Sequence, residues 1–373
     1  MTRRKRTRKT EKPVRVIELR PWSDLPVELL ELIVTRLSHK DNVNMSCVCK
    51  KWQYVALKLR VVNQSPWLLF PPAPPCLIKF FDPALGKFYF DEIPKLRLAD
   101  FYCSKDGWVL FCSFDMFLFN PFTKSKMDLP DYRFFECKAV KVALSCVPTS
   151  PDCVVFAIEV SGYYVNDEGD SSQGVSIRIC HPGDAQWTTF QYQITDGEPF
   201  CCGDCPVFCN GLFYCLNETS DISVGVFDPQ KHTLSVLSLP SLNLPRLSCD
   251  RWRPKYMAEF KGDLLLVCVS YPDKPIIFKL ELSKMKWVEM KSLNGATVFV
   301  STHSSLVVTN VPRISSNSVY FSKPVCYGKS SYLYCLDDCR YHPTRQWCEG
   351  QFFQKSVWIR PPKMTHLLFD ELY

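Results

Sequence analysis

The chain is 373 residues long, 46% hydrophobic and 14% aromatic, which excludes wholesale disorder and suggests a large domain plus a smaller one, or two to three domains. Lys and Arg outnumber Asp and Glu by 45 to 38, but six basic residues are Arg3, Arg4, Lys5, Arg6, Arg8 and Lys9. The rest of the chain is nearly neutral and offers no phosphate-tracking face, so no nucleic-acid partner is expected.

Residues 1–20 read as a basic disordered tail with nothing to bury. The tail is either a solvated lead or a nuclear import signal, since Arg/Lys clusters fit acidic grooves on import receptors. Thr10-Glu11-Lys12-Pro13 follows it, with no apolar core and no small-residue cleavage site of a secretory signal. The longest apolar stretch, Trp108 to Phe119, is interrupted by Asp115 and too short to span a bilayer, so no membrane is expected. The 20 cysteines are accordingly read as reduced, small, buried hydrophobes of a nuclear or cytoplasmic protein.

Residues 21–62 carry a helical pattern. Pro26 suits a first helical turn, where its missing N–H leaves no bond unmade, and Glu28 complements the positive helix end. Leu25, Leu29, Ile33 and Leu37 step by four, with Leu30 and Val34 beside them, giving an apolar face broader than one neighbour requires. Asp41 is placed to cap a second helix that presents Val43, Cys47 and Val48. A third helix from Lys50 to Leu59 carries Trp52 and Val55. A module of this size and greasiness should have a partner.

Leu25-Pro-Val-Glu-Leu-Leu30, then Ile33, Leu37 and Asp41, then Val48-Cys-Lys-Lys-Trp52, resembles an F-box, and its spacing is similar to the plant version. Asn44 and Met45 depart from the Arg and Phe that plant relatives often carry there. The resemblance implies a three-helix module that binds a Skp-type linker subunit, and through it a cullin, with Leu25, Pro26, Leu29, Ile33, Leu37, Val48 and Trp52 sharing the contact and the module's own packing.

Residues 63–373 change character. Pro66, Pro71, Pro72, Pro74 and Pro75 punctuate a linker-like stretch. Short β-branched and aromatic runs then follow, among them Cys153–Val160, Leu264–Val269 and Ala296–Val300, with no convincing helix of ten residues between them. Such runs predict an all-β domain. Phe81-Asp82-Pro83, Phe119-Asn120-Pro121, Cys180-His181-Pro182 and Phe227-Asp228-Pro229 form a weak repeat of apolar–polar–Pro turns. In three of them an apolar residue stands six positions after the polar one (Phe88, Trp187, Leu234), and Met127 stands seven after Asn120. Glu281 with Trp287 and Tyr341 with Trp347 extend the series. The mean interval of about 52 residues approaches the length of a four-stranded propeller blade, predicting a β-propeller of six visible blades with a seventh possible.

The chain has no Gly-Gly doublet and no Trp-Asp dipeptide, against kelch and WD40 arrays respectively. Asp106-Gly-Trp-Val-Leu110, Leu118-Phe-Asn-Pro-Phe-Thr123, Asn317-Ser-Val-Tyr-Phe321 and Ser356-Val-Trp-Ile-Arg-Pro361 instead resemble the propeller downstream of the F-box in a plant family once classed as a domain of unknown function. The overall expectation is mainly β, a short three-helix F-box ahead of a β-propeller of about six or seven blades. The resemblance implies a non-catalytic substrate-recognition subunit of an SCF-type ubiquitin ligase, holding an unidentified target protein and needing no cofactor. The rival reading is a non-degradative propeller scaffold.

Catalytic motifs are wanting. Gly328-Lys329-Ser330 lacks the first glycine of a phosphate loop, and no Gly-x-Gly-x-x-Gly, His-Glu-x-x-His or Gly-x-Ser-x-Gly occurs. Cys335, Cys339, His342 and Cys348, and separately Cys201, Cys202, Cys205 and Cys209, crowd together without standard zinc spacing, so no metal is expected and strand-end thiols are the plainer reading.

Overall fold

The computed structural model describes residues 22–34, 37, 45–58, 65–73, 76–97, 99–113, 115–131, 140–165, 171–195, 200–203, 205–217, 223–240, 242, 244, 254–269, 273–324, 331–342 and 356–361. The chain divides into two compact units, 1–62 and 63–373.

In the first unit a 3-10 turn, Trp22–Asp24, leads into helix α1, Val27–Val34. The Pro26 carbonyl accepts the first helical bond from Leu30 N–H at 3.1 Å, a role that needs no N–H of its own. Helix α2, Lys50–Lys58, packs against α1. Leu30 and Val34 on one side of α1 meet Met45 and Val55 in a small buried core. The Trp52 indole N–H donates to the Trp22 carbonyl at 3.1 Å, tying the 3-10 turn to α2. The expected third helix is thus present as α2, and the expected second helix, between α1 and α2, is only partly in view. Its Asp41 cap and Val43 lie outside the described residues, while Met45 and Ser46 are helical and Val48 N–H donates to Met45 C=O at 3.2 Å to close the turn after them. Among the described residues, then, the unit has two helices and one further helical turn.

The second unit holds six sheets among the described residues. From the innermost strand outward, blade 1 is Val357–Ile359, Trp67–Ala73, Leu77–Asp82 and Lys87–Glu92. Blade 2 is Asp100–Lys105, Trp108–Cys112, Met116–Phe119 and Lys126–Asp128. Blade 3 is Lys141–Leu144, Val155–Val165, Ser171–Cys180 and Thr188–Thr195. Blade 4 is Val207–Cys209, Leu212–Leu216, Val224–Asp228 and Thr233–Leu237, and blade 5 is Lys255–Phe260, Asp263–Cys268, Ile276–Glu281 and Lys286–Met290. Blade 6 has five strands, Leu306–Thr309, Ala296–Val300, Ser318–Pro324, Ser331–Cys335 and Arg340–His342, of which the second and third pair parallel.

Six hydrophobic clusters fill the six seams between consecutive blades, the last joining blade 6 to blade 1. Because inner strands are covered on both faces, they read as unbroken apolar runs such as Leu264–Cys268, whereas the outer strand Thr188–Thr195 alternates exposed and half-buried. Adjacent residues serve different seams: Leu69 faces blade 2, and its neighbours Leu68 and Phe70 face blade 6. The ring is closed by the C-terminal strand, with Leu68 opposite Trp358 and the Trp358 indole donating to the Val300 carbonyl at 3.0 Å.

The apolar–polar–Pro repeat is the turn between the third and fourth strands. Asp82 Oδ1 accepts Ala84 N–H, Asn120 Oδ1 accepts Phe122 and Thr123 N–H, and Asp228 Oδ1 accepts Gln230 and Lys231 N–H. Each side chain thereby supplies the acceptor that turns the chain. The apolar residue six positions on pairs across the hairpin with the one before the turn, as in Phe81 with Phe88 and Phe227 with Leu234. At His181 the roles reverse, and Asp184 Oδ2 accepts the His181 N–H at 2.7 Å.

Two expectations are corrected. Pro71 and Pro72 do not belong to a linker: they lie in a blade 1 strand, where the register shifts between Phe70 and Ala73, a break in the ladder that tolerates residues without N–H. Tyr341 is not a turn anchor but sits within the last strand of blade 6, and Trp347 lies outside the described residues.

Candidate partner-binding surface

Helix α1, VELLELIV, is apolar at every position except Glu28 and Glu31, so it cannot hide all its apolar side chains against one neighbour. Leu30 and Val34 take the core, leaving Leu29 47% and Leu32 57% exposed. Trp22, Val48 and Tyr54 on the same unit are 73%, 59% and 63% exposed. Among the residues expected at the linker contact, Pro26, Leu29 and Val48 are exposed. Leu25, Ile33, Leu37 and Trp52 are half-buried against the core. Trp22, Leu32 and Tyr54 escaped the sequence reading, although the unbroken apolar run of α1 was the signal for Leu32. Covering Leu29 and Leu32 with a partner gains roughly 1 kcal/mol apiece from the half of each side chain still in water. Such an arrangement can seat a groove or receive a helix.

The propeller's cysteine groups are dispersed by the fold. Cys202, Cys205 and Cys209 fall in three different seams. The Cys205 thiol donates to the Val142 carbonyl at 3.1 Å and the Cys209 thiol to the Gly262 carbonyl at 3.4 Å. Burial pushes Cys209 up to about 11 and Cys153 up to about 12, and burial with a hydrogen bond to Cys202 holds Cys215 well above the ordinary thiol range. Cys153, Cys209 and Cys215 therefore stay in the thiol form at neutral pH. In the other group, His342 Nε2 pairs with Asp338 Oδ2 at 2.7 Å, the Cys339 thiol turns to the Leu336 carbonyl at 3.5 Å, and Cys348 lies outside the described residues. Among the described residues no three His, Cys, Asp or Glu side chains are grouped to hold a metal ion. The basic residues Arg3 to Lys9 and the Gly328-Lys329-Ser330 sequence also lie outside the described residues.

Two family models match the chain: an F-box domain over residues 22–63 and a KIB1-4 beta-propeller over residues 80–348. Neither is the model of an enzyme. Curated relatives from Arabidopsis thaliana run the length of the chain. The F-box/kelch-repeat protein At1g57790 is 38% identical, with 92% of this chain and 95% of the relative covered. The F-box protein At4g00893 is 31% identical over 92% of this chain and 87% of its own. The F-box/kelch-repeat protein KIB1 is 24% identical over 80% of this chain and 77% of its own. The chain therefore belongs to the F-box proteins whose second domain is a KIB1-4 beta-propeller.

Proposed function

We propose that this chain is the substrate-recognition subunit of an SCF-type ubiquitin ligase, its F-box binding a Skp-type linker and hence a cullin, its propeller holding a protein destined for ubiquitination and proteasomal degradation. The observation that carries the reading is the excess of exposed apolar side chains on a unit whose buried cluster, among the described residues, is Leu30, Val34, Met45 and Val55. An apolar helix laid against a partner's groove is a standard mode of recognition. The receptor makes and breaks no bonds itself. Holding the target beside a charged ubiquitin carrier raises the effective concentration of its lysines, which is catalysis by position. Pulldown of linker and cullin by the full-length chain, lost with Leu29→Asp or Ile33→Asp, tests it. Recovery of client proteins without any cullin in the native complex would favour the non-degradative scaffold. For the tail, a reporter carrying residues 1–20 should gather in the nucleus and disperse when Arg3, Arg4, Lys5, Arg6, Arg8 and Lys9 are replaced by alanine.

A further inference from the structure

Among the described residues six outer strands rim the propeller, and they are not alike. Five carry three to six residues, and four of those bear charge: Lys87, Asp91 and Glu92; Lys126 and Asp128; Lys286 and Glu289; Arg340. Charge and brevity are how sheet edges ordinarily repel stray strands. Blade 4's Thr233–Leu237 is uncharged but only five residues long. Blade 3's outer strand, Thr188–Thr195 with sequence TTFQYQIT, is eight residues, uncharged and free of proline. It pairs with Ser172–Ile179 through eight consecutive partners without a register shift. Among the described residues the strand is last in its sheet, and alternate backbone N–H and C=O groups therefore point outward along its length. Thr, Phe, Tyr and Ile are strand formers, and the side chains sort cleanly: Phe190, Tyr192 and Ile194 pack half-buried on the blade 3–4 seam, and Thr189, Gln191, Gln193 and Thr195 face solvent.

We propose that this edge receives an extended segment of the client protein as a fifth strand of blade 3. The occupant is a polypeptide alternating apolar residues, placed beside Phe190, Tyr192 and Ile194, with small uncharged polar ones beside Gln191 and Gln193. Eight residues of strand span about 26 Å. Edge pairing over that length alone falls short of the roughly 800 Å² per partner that a stable dimer buries, whereas a single added strand is held by main-chain hydrogen bonds and pockets for alternate side chains. A flexible client segment thus fits the edge better than a second copy of this chain. Only the occupant's being a client rests on the ligase reading; the edge itself does not.

The test uses the full-length protein and a capped octapeptide of alternating Val and Thr as the probe, with a twin N-methylated at alternate residues. Amide exchange within Thr188–Thr195 should slow at least about fivefold with the plain peptide and not with the twin. Gln191→Lys/Gln193→Lys should abolish that protection, and Thr233→Lys/Ser235→Lys on blade 4 should not. The proposal is overturned by no protection of the strand, by protection confined elsewhere, by protection that survives the lysine pair, or by protection that grows with protein concentration alone, which would make a second copy the occupant. Exchange is read without the linker subunit, so failure here leaves the ligase reading standing, and loss of linker binding by Leu29→Asp leaves this one standing.

Discussion

The two units deploy apolar residues in opposite ways. Among the described residues the propeller puts most of its large apolar side chains inside, with Phe90, Val236, Leu282 and Met285 the exposed ones: each inner strand is sandwiched, and the seams close on themselves through Trp358. The helical unit buries Leu30, Val34, Met45 and Val55 and leaves Trp22, Leu29, Leu32, Val48 and Tyr54 outside. A ring can satisfy all its own surfaces because every blade has two neighbours. A pair of short helices has too few, and the remaining apolar surface becomes something another chain can cover.

The contrast predicts that substitutions inside the ring act on stability and substitutions on the helices act on binding. The largest effect should come from Trp358→Ala. Its side chain is fully buried in the closing seam, so truncation should lower unfolding free energy by about 3–5 kcal/mol in a urea titration. Leu29→Asp should do the reverse. Linker affinity should fall by about 2–3 kcal/mol, roughly 30- to 150-fold, with the urea midpoint of the propeller unchanged. Equal loss of stability in Leu29→Asp would erase the distinction.

A smaller effect is written into the turns. Burial raises Asp82 to about 6, against hydrogen bonds from Ala84 and Leu85 N–H and the charges of Arg313 and Lys87 that pull it down. The folded state therefore binds this proton more tightly than the unfolded one, and its favourable contribution, complete below about pH 4, is lost as pH rises through 6. The swing is at most about 3 kcal/mol. Asn120 fills the same turn position in blade 2 with the same type of bonds, so Asp82→Asn should fold normally and flatten the pH 4–6 slope in thermal melts. The smallest effect concerns Lys261, at φ 53 before Gly262, where blades 2 and 4 place Asp106-Gly107 and Asn210-Gly211 in the same left-handed pair. Lys261→Asn should stabilise by a few tenths of a kcal/mol, measured as a small rise in Tm, because Asn tolerates that conformation better.

Those hairpins also show where sequence reading fell short. Asp106-Gly107, Asn210-Gly211 and Lys261-Gly262 each join a first strand to a second, and together they mark blade phase more regularly than the third-to-fourth-strand turns that revealed the repeat. The polar–Pro signal worked because the turn is made locally, by a side chain two or three residues from its donors. It failed in blade 6, where a parallel pair and a fifth strand break the plain up-and-down order. Pro71 and Pro72 misled for a related reason: whether a proline sits in a strand depends on what lies opposite, and the shift between Phe70 and Ala73 is a property of the pairing.

By itself, the sequence determined what short-range physics controls: the helical period of residues 25–34, the apolar runs of doubly covered strands and the side-chain-made turns. Tertiary structure alone decided that the ring ends at six blades among the described residues, because Trp67 and Ile359 pair across almost the whole chain. It also decided which flank of α1 faces inward. Leu29 and Leu30 are the same residue type side by side, and only the position of Met45 and Val55 makes one core and the other surface.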